Sequence, residues 1–239
     1  MSDFSGRNVL VVGGSSGIGL ALSKRLIAAG ASLHLWSRSR PEDLDPGRYT
    51  YSPVDVLKPL AEQNPETPNA LHGLAYCPGS ITLASFQRLK EEQFLDDFQL
   101  NLLGAVRVLQ HCLRSLVPQE SSVVMFSTVA VQTGFQFHAS IASAKGAVEG
   151  LVRSLAAEFA PKGVRFNAVA PSLTATPLAG SLLSTEDKRT KSGQRHPLGR
   201  IGKASDQASA AEYLLSSDSG WITGQVLRVD GGYSSVRLL

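Results

Sequence analysis

The sequence predicts a single α/β domain with a doubly wound parallel sheet, and three observations predict this fold class. The 239 residues are 43% hydrophobic, which is enough apolar material to bury a sheet within one domain. The run Asn8–Val12 is apolar, rich in β-branched residues and followed by glycines, as is typical of a fully buried parallel strand. Similar runs alternate with segments of helical periodicity, and parallel strands joined by helices form sheets covered on both faces.

The individual elements follow that alternation. Apolar runs predict strands at 8–12, 33–36, 72–76, 121–127 and 164–171, and helical periodicity predicts helices at 18–31, 91–116 and 141–160. The first helix should end at Gly30, a residue type that often terminates helices. The proline-containing stretch 41–69 has little periodicity, so we expect short or missing helices beside a third strand. The polar segment around 178–200 follows a strand end and predicts a substrate lid within one domain, residues 1–239.

Composition and charge argue against several functional classes. The net charge is +3 and the charged residues are scattered, which disfavours a nucleic-acid surface and suits a small anionic ligand. Cys77 and Cys112 have no Cys or His at metal-ligand spacing, so we expect free thiols and no metal. The sequence shows no signal-peptide pattern and no apolar run of about 18 residues, which predicts a cytoplasmic protein without a membrane segment. No Ser-His-Asp spacing suits this fold, so hydrolase chemistry is disfavoured.

A glycine-rich segment, VGGSSGIG, connects the first strand to the first helix. Glycines at such a turn allow a tight bend and a close approach of the backbone to a pyrophosphate, which binds at the positive end of the helix. The segment therefore predicts a dinucleotide site. Its candidate binding residues are Gly13, Ser15, Ser16, Gly17, Ile18 and Gly19.

The spacing G-x-x-x-G-x-G resembles the short-chain dehydrogenase/reductase family, including members similar to the 3-ketoacyl-carrier-protein reductases. Four further segments resemble that family in the correct order: SPVDVL around Asp55, FQLNLLGA around Asn101, VRFNAVAPSLTATP and SGWITGQVLRVDGG. The resemblance spans nearly the whole chain and implies a Rossmann fold and an oxidoreductase. It also implies homodimers or homotetramers that pair through the helices containing Asn101 and Lys145.

The segment after the second strand bears on the choice of cofactor. An acidic residue there would bind a ribose 2′-hydroxyl, whereas an arginine accommodates a 2′-phosphate. The sequence reads LHLWSRSR, so Ser37 and Arg38 favour NADP(H) over NAD(H). The resemblance adds the cofactor-binding positions Asp55, Val56, Gly79, Asn101, Lys145, Pro171, Thr174 and Thr176.

The catalytic positions implied by the resemblance are only partly filled. In this family a Tyr transfers the proton, a Lys four residues later binds the nicotinamide ribose, and a Ser thirteen residues before the Tyr bonds the substrate oxygen. Lys145 and the helix residue Asn101 match, Thr128 keeps a hydroxyl at the Ser position, and Ile141 occupies the Tyr position. An isoleucine side chain cannot transfer a proton. The family's Pro-Gly pair also reads Pro171-Ser172 here.

Three hypotheses remain open from the sequence. In the first, His138 is the acid, because its spacing of seven residues to Lys145 resembles the Tyr-Lys spacing of bacterial enoyl-carrier-protein reductases. In the second, no acid is used, and Thr128 and water near Asn101 and Lys145 stabilise the anion. In the third, the chain is a pseudoenzyme that binds NADP(H) as a sensor or as the partner of an active homologue in a hetero-oligomer.

Overall fold

The computed structural model describes residues 2–118 and 120–237, which form one α/β domain. Its strands are β1 (Asn8–Val12), β2 (Ser32–Ser37), β3 (Tyr49–Pro53), β4 (Gly73–Tyr76), β5 (Ser122–Phe126), β6 (Arg165–Pro171), β7 (Thr174–Ala175), β8 (Gly202–Lys203) and β9 (Val226–Val229). Seven of them form one parallel sheet in the order β3-β2-β1-β4-β5-β6-β9. The two short strands β7 and β8 pair separately.

The helices cover both faces of this sheet. They are α1 (Gly17–Ala28), α2 (Leu60–Gln63), α3 (Glu91–Phe98), α4 (Gly104–Cys112), α5 (Ala130–Thr133), α6 (Ala139–Phe159), α7 (Glu186–Gln194) and α8 (Ala204–Leu215). Side chains of α4 and α6, such as Val108 and Val148, belong to the core on one face. Those of α1 and α8, such as Leu22 and Ala211, belong to the core on the other face. The predicted doubly wound sheet is therefore confirmed.

The sheet topology determines where a ligand can bind. The strand order reverses between β1 and β4, and in such sheets a crevice opens beyond the carboxyl ends of the strands at that point. Strands β4 and β5 are buried along their whole length, which explains why they read as continuous apolar runs. The residues that follow β1, β4, β5 and β6 therefore line the crevice.

The structure departs from the helix predicted at 91–116 and gives the details of two other predicted segments. The helix predicted at 91–116 is interrupted by a π-helical turn, Gln99–Leu103, and ends at Cys112. The edge next to β3 is sparse as predicted, since α2 has four residues and a 3-10 turn at Pro46–Arg48 precedes the strand. The segment proposed as a lid contains a 3-10 turn, Pro177–Leu183, and α7. No helix in the described ranges is long and apolar enough to cross a membrane.

Candidate active site

The glycine-rich turn leaves the backbone no room for side chains. A Cβ at Gly19 would lie 2.2 Å from the carbonyl oxygen of Gly13, and Gly13 and Gly17 have φ angles of +77° and +54°. Ser16 begins α1 without a side-chain cap, so its exposed hydroxyl is available to a ligand. A Cβ at Gly17 would lie 3.5 Å from Thr176, which brings that threonine to the same turn. The remaining loop candidates, Ser15 and Ile18, are half-buried.

The second candidate segment lies at the carboxyl end of β2. Ser37 is buried, and its Oγ donates a hydrogen bond to the Ser39 carbonyl at 2.8 Å. Arg38 is exposed, whereas the Arg40 guanidinium lies over the Tyr51 ring, 4.7 Å from its centroid. Stacking of this kind restrains an arginine side chain. Arg38 is therefore better placed than Arg40 to meet an anion at this strand end.

Asp55 and Val56 follow β3 on a backbone held by side-chain hydrogen bonds. The Asp55 amide donates to Gln63 Oε1 at 2.7 Å, and Asp55 Oδ1 accepts from the Leu57 amide at 3.0 Å. Val56 is buried against Gly104, where an added Cβ would lie 3.2 Å from a Val56 methyl group. The half-buried Asp55 keeps its second carboxylate oxygen for a ligand.

Gly79, Asn101 and Lys145 meet at the carboxyl edge of β4 and β5. A Cβ at Gly79 would lie 3.2 Å from Asn101 Oδ1 and 3.6 Å from Lys145 Nζ, so both atoms border the space over this glycine. Lys145 Nζ donates to the Phe126 carbonyl at 2.8 Å. Asn101 Nδ2 donates to Ser80 Oγ and to the Asp97 carbonyl, both at 2.8 Å. In the described part of the chain Asn101 Oδ1 has no hydrogen-bond partner, which is costly unless a ligand or water supplies one.

Burial changes the chemistry of Lys145. Desolvation lowers the pKa of its ammonium group to about 8, against a weaker opposite effect of Cys77 and Asp97. Lys145 therefore changes charge close to neutral pH, unlike an exposed lysine. Burial also raises the thiol pKa of the two free cysteines, Cys77 and Cys112, to about 12, so both thiols are poor nucleophiles.

The residue one helical turn before Lys145 on α6 is not an acid. Ile141 lies one turn earlier and is 4% exposed. His138 caps the helix, seven residues or about 10 Å along the axis from Lys145. Its Nδ1 lies 2.7 Å from the Gln136 carbonyl, so Nδ1 carries a proton, and its ring meets Phe135 edge-on.

Thr128 lies just beyond β5 and is half-buried. Its Oγ1 accepts a hydrogen bond from the Ala130 amide at 3.3 Å, which leaves its own O–H free to donate to a ligand. The Val129 amide donates to the Pro171 carbonyl at 3.0 Å, so the ends of β5 and β6 are adjacent. Thr174 is buried and donates to the Ser172 carbonyl at 3.0 Å.

Comparison with known proteins shows the family of the chain. The family profile described as enoyl-(acyl carrier protein) reductase matches residues 12–234. The chain is 31% identical over 234 residues to the 3-oxoacyl-(acyl-carrier-protein) reductase MabA of Mycobacterium avium, covering 96% of this chain and 90% of MabA. This chain therefore belongs to the short-chain dehydrogenase/reductase family.

Solved structures of similar proteins have the same fold. The aldohexose dehydrogenase AldT of Thermoplasma acidophilum, in ligand-free form, superposes with a TM-score of 0.88 at 27% identity, covering 100% of this chain and 98% of AldT. ElxO with NADP bound superposes with a TM-score of 0.83 at 25% identity, covering 99% of this chain and 100% of ElxO. NADP is thus a cofactor bound within this fold.

One cluster in this short-chain dehydrogenase/reductase was not found from the sequence. The carboxylate of Asp97, only 1% exposed, accepts hydrogen bonds from Ser80 Oγ at 2.5 Å, Thr82 Oγ1 at 3.0 Å and Ser140 Oγ at 2.6 Å. It therefore ties the loop after β4 to the start of α6, directly beside Asn101. A lone acidic residue in a helix reads as a solvated side chain, so sequence alone carried no signal for it.

A second grouping that the sequence did not indicate is a serine–histidine pair, without the Asp of a Ser-His-Asp triad. Ser172 Oγ lies 2.9 Å from His196 Nε2, and His196 Nδ1 lies 2.9 Å from the Ser192 carbonyl. A carbonyl oxygen, not an Asp carboxylate, is the partner of Nδ1, so this is a Ser-His pair and not a triad. No group of three or more His, Cys, Asp or Glu side chains in residues 2–118 and 120–237 is arranged to hold a metal ion.

Proposed function

We propose that the protein is an NADP(H)-dependent oxidoreductase that reduces a carbonyl or an activated double bond by hydride transfer, with a proton donor other than residue 141. The observation that carries the proposal is the convergence of Lys145 Nζ and the unpartnered Asn101 Oδ1 on the space over Gly79. An unpaired buried amide oxygen next to an ammonium group fits a ligand with hydroxyl groups, such as a nicotinamide ribose. The glycine turn and Thr176 would hold the pyrophosphate.

Each side chain then has a defined task. When bound, NADPH supplies the hydride. Lys145 binds the ribose hydroxyls, Asn101 Oδ1 accepts from a water or hydroxyl beside it, and the free O–H of Thr128 bonds the substrate oxygen. Pro171, Thr174 and Thr176 border the nicotinamide side, and residues 178–200 close over the substrate. A homodimer or homotetramer and a cytoplasmic location are part of this proposal.

The preference for NADP(H) rests on Arg38. We expect Arg38→Ala to weaken NADPH binding about tenfold and to leave NADH binding unchanged, because one charge-assisted contact to the 2′-phosphate contributes about 1.4 kcal/mol. Arg40→Ala is the matched control, since Arg40 already stacks on Tyr51. Dissociation constants from nicotinamide fluorescence measure both effects. Equal affinities of the parent protein for NADPH and NADH would refute the preference.

The sequence offered His138 as the proton donor, and it stays in the proposal as one candidate. Its Nδ1 is engaged with the Gln136 carbonyl, so Nε2 is the nitrogen that would face a substrate. We propose to measure NADPH oxidation with ketones, quinones and enoyl thioesters for the parent and His138→Ala. A loss of about 100-fold in kcat would support His138 as the acid. Unchanged turnover would leave the reaction to Thr128 and water or to another donor.

The alternative function is an NADP(H)-binding pseudoenzyme, a sensor or the partner of an active homologue. It is favoured by Ile141, which is buried at the position where the family resemblance places a catalytic tyrosine. The variant Ile141→Tyr distinguishes the two functions. Turnover by the parent protein supports the oxidoreductase. NADPH binding without turnover in the parent, with carbonyl reduction gained in Ile141→Tyr, supports the pseudoenzyme.

A further inference from the structure

The hydrogen bonds of His196 define its tautomer. The Ser192 carbonyl at 2.9 Å from Nδ1 can only accept, so Nδ1 carries a proton. In the neutral imidazole Nε2 is then an acceptor, and the hydrogen bond of 2.9 Å to Ser172 runs from the serine O–H to Nε2. His196 is 5% exposed, so its ring is held in this orientation. A serine hydroxyl bonded to an oriented imidazole is the arrangement by which proteins move a proton to or from oxygen.

The pair lies beyond the carboxyl end of β6, next to the end of β5 that carries Thr128. Ser172 is the first residue after β6, and Thr128 is the second after β5. These strands are paired, and the bond from the Val129 amide to the Pro171 carbonyl, 3.0 Å long, continues the pairing beyond β5. Backbones of paired strands lie about 4.8 Å apart. A substrate oxygen bonded to Thr128 therefore lies on the strand end adjacent to Ser172.

We propose that Ser172 is the catalytic hydroxyl that exchanges a proton with the substrate oxygen, and that His196 supplies or removes that proton through Ser172. This inference rests on the proposed oxidoreductase function and names the acid which that function requires. It replaces the role expected of a tyrosine at position 141. The serine at this position is also a departure from the Pro-Gly pair of the family, so the hydroxyl is a particular feature of this chain.

The proton transfer balances in both directions. In alcohol oxidation the substrate loses a hydride from carbon to NADP⁺ and its hydroxyl proton to Ser172 Oγ, while the Ser172 proton passes to His196 Nε2. After the carbonyl product departs, His196 is an imidazolium and releases its additional proton to solvent. In reduction the imidazolium Nε2–H donates to Ser172 Oγ, and the Ser172 proton goes to the oxygen of the substrate carbonyl as its carbon accepts the hydride.

A cavity borders His196. His196 lines a cavity of about 180 Å³ together with the charged residues Arg200, Asp206 and Asp230. The other titratable side chain against the imidazole is Tyr233, with ring centroids 5.1 Å apart. The carboxylate of Asp230 is engaged with the Gly232 amide and Ser234, and Asp206 with Arg200. The two carboxylates that line this cavity are therefore engaged by groups other than His196.

The first test compares parent, Ser172→Ala and His196→Gln in NADPH oxidation and in the reverse reaction. We expect kcat to fall about 100-fold in each variant, the usual contribution of general acid–base catalysis, with NADPH affinity within about twofold of the parent. The double variant should lose no more than the single variants, because the two groups act as one unit. Ser143→Ala and His111→Gln, at exposed positions outside the crevice, control for nonspecific effects.

The pH profile separates proton transfer from a structural role. As pH rises, alcohol oxidation by the parent should gain rate and reduction should lose rate, because His196 accepts a proton in oxidation and donates one in reduction. The pH dependence of both reaction rates should disappear in His196→Gln. Without cofactor, ¹⁵N NMR of labelled histidines should show His196 neutral as the Nδ1–H tautomer, with its Nε2 signal shifted in Ser172→Ala.

The outcomes are distinct. An active parent whose kcat and pH profile survive in Ser172→Ala overturns the pair and leaves the oxidoreductase function standing. A Nε2–H tautomer of His196 in the NMR spectra also overturns the pair. A parent that binds NADPH but turns over no substrate overturns the oxidoreductase function and the pair together. Melting temperatures of the variants within about 5 °C of the parent show that lost activity is not lost folding.

Discussion

Two groups of residues beyond the carboxyl ends of the strands are built differently. We call the side formed by Gly13, Gly19, Gly79, Asn101 and Lys145 the cofactor wall, and the side formed by Ser172, His196, Asp230 and Tyr233 the lid wall. In the cofactor wall the glycine backbone is in direct contact with neighbouring atoms, and the ammonium group of Lys145 is buried. The lid wall consists of the rings of His196 and Tyr233, the Ser172 hydroxyl and the Asp230 carboxylate, and His196 and Asp230 line a cavity. The cofactor wall should therefore tolerate substitution far less than the lid wall does.

The largest expected effect comes from adding one methyl group to the cofactor wall, compared with one added to the lid segment. Gly19→Ala places a Cβ 2.2 Å from the Gly13 carbonyl oxygen, so we expect a loss of about 3 kcal/mol in stability and at least a tenfold loss of NADPH affinity. Gly180→Ala, in the lid segment, has no atom within 4 Å of the added Cβ and should change stability by less than about 0.5 kcal/mol. Urea unfolding measures both variants. Equal effects would show that the glycine turn is no more tightly packed than the lid segment.

The second prediction concerns the buried ammonium group of the cofactor wall. The folded-state pKa of Lys145 is about 8, below the 10.5 of an unfolded chain, so between these values the unfolded state binds more protons. The stability of the parent relative to Lys145→Met should therefore rise with pH, by roughly 3 kcal/mol between pH 8 and 10.5. Taking the difference cancels the cysteines, whose raised pKa values act in the opposite direction in both proteins. A flat difference would indicate that Lys145 is hydrated in the folded protein.

The third and smallest effect tests the support behind Asn101. Three hydroxyls donate hydrogen bonds to the carboxylate of Asp97. An amide in its place would set its own N–H donor against one of these hydroxyl donors. We expect Asp97→Asn to destabilise the protein by about 2 kcal/mol, the usual range for hydrogen bonds to a charged group. Asp96→Asn is the matched control, because the carboxylate of Asp96 is next in sequence to Asp97 but exposed. If both variants melt at the same temperature, Asp97 does not hold the cofactor wall together.

Most of the sheet could be read from the sequence, because buried parallel strands and amphipathic helices have distinct local patterns. The π-helical turn at Gln99–Leu103 could not, since the apolar periodicity of the long helix continues through it. That turn carries Asn101, which the resemblance of FQLNLLGA to the family nevertheless identified. The edge strand β9 lay within a recognised motif but was not assigned as a strand, since only two of its four residues are even half-buried.

The sequence by itself determined the glycine turn, the Lys145 and Asn101 positions and the absence of an ionisable side chain at 141, because each depends on residues at fixed local spacing. The tertiary structure alone decided which other polar groups join them. Asp97 meets Ser140 across 43 positions, and Ser172 meets His196 across 24. Such contacts depend on which strand ends and helices become neighbours when the sheet forms. Local sequence therefore does not identify the proton donor. The folded protein brings together Ser172 and His196, the pair proposed for that role.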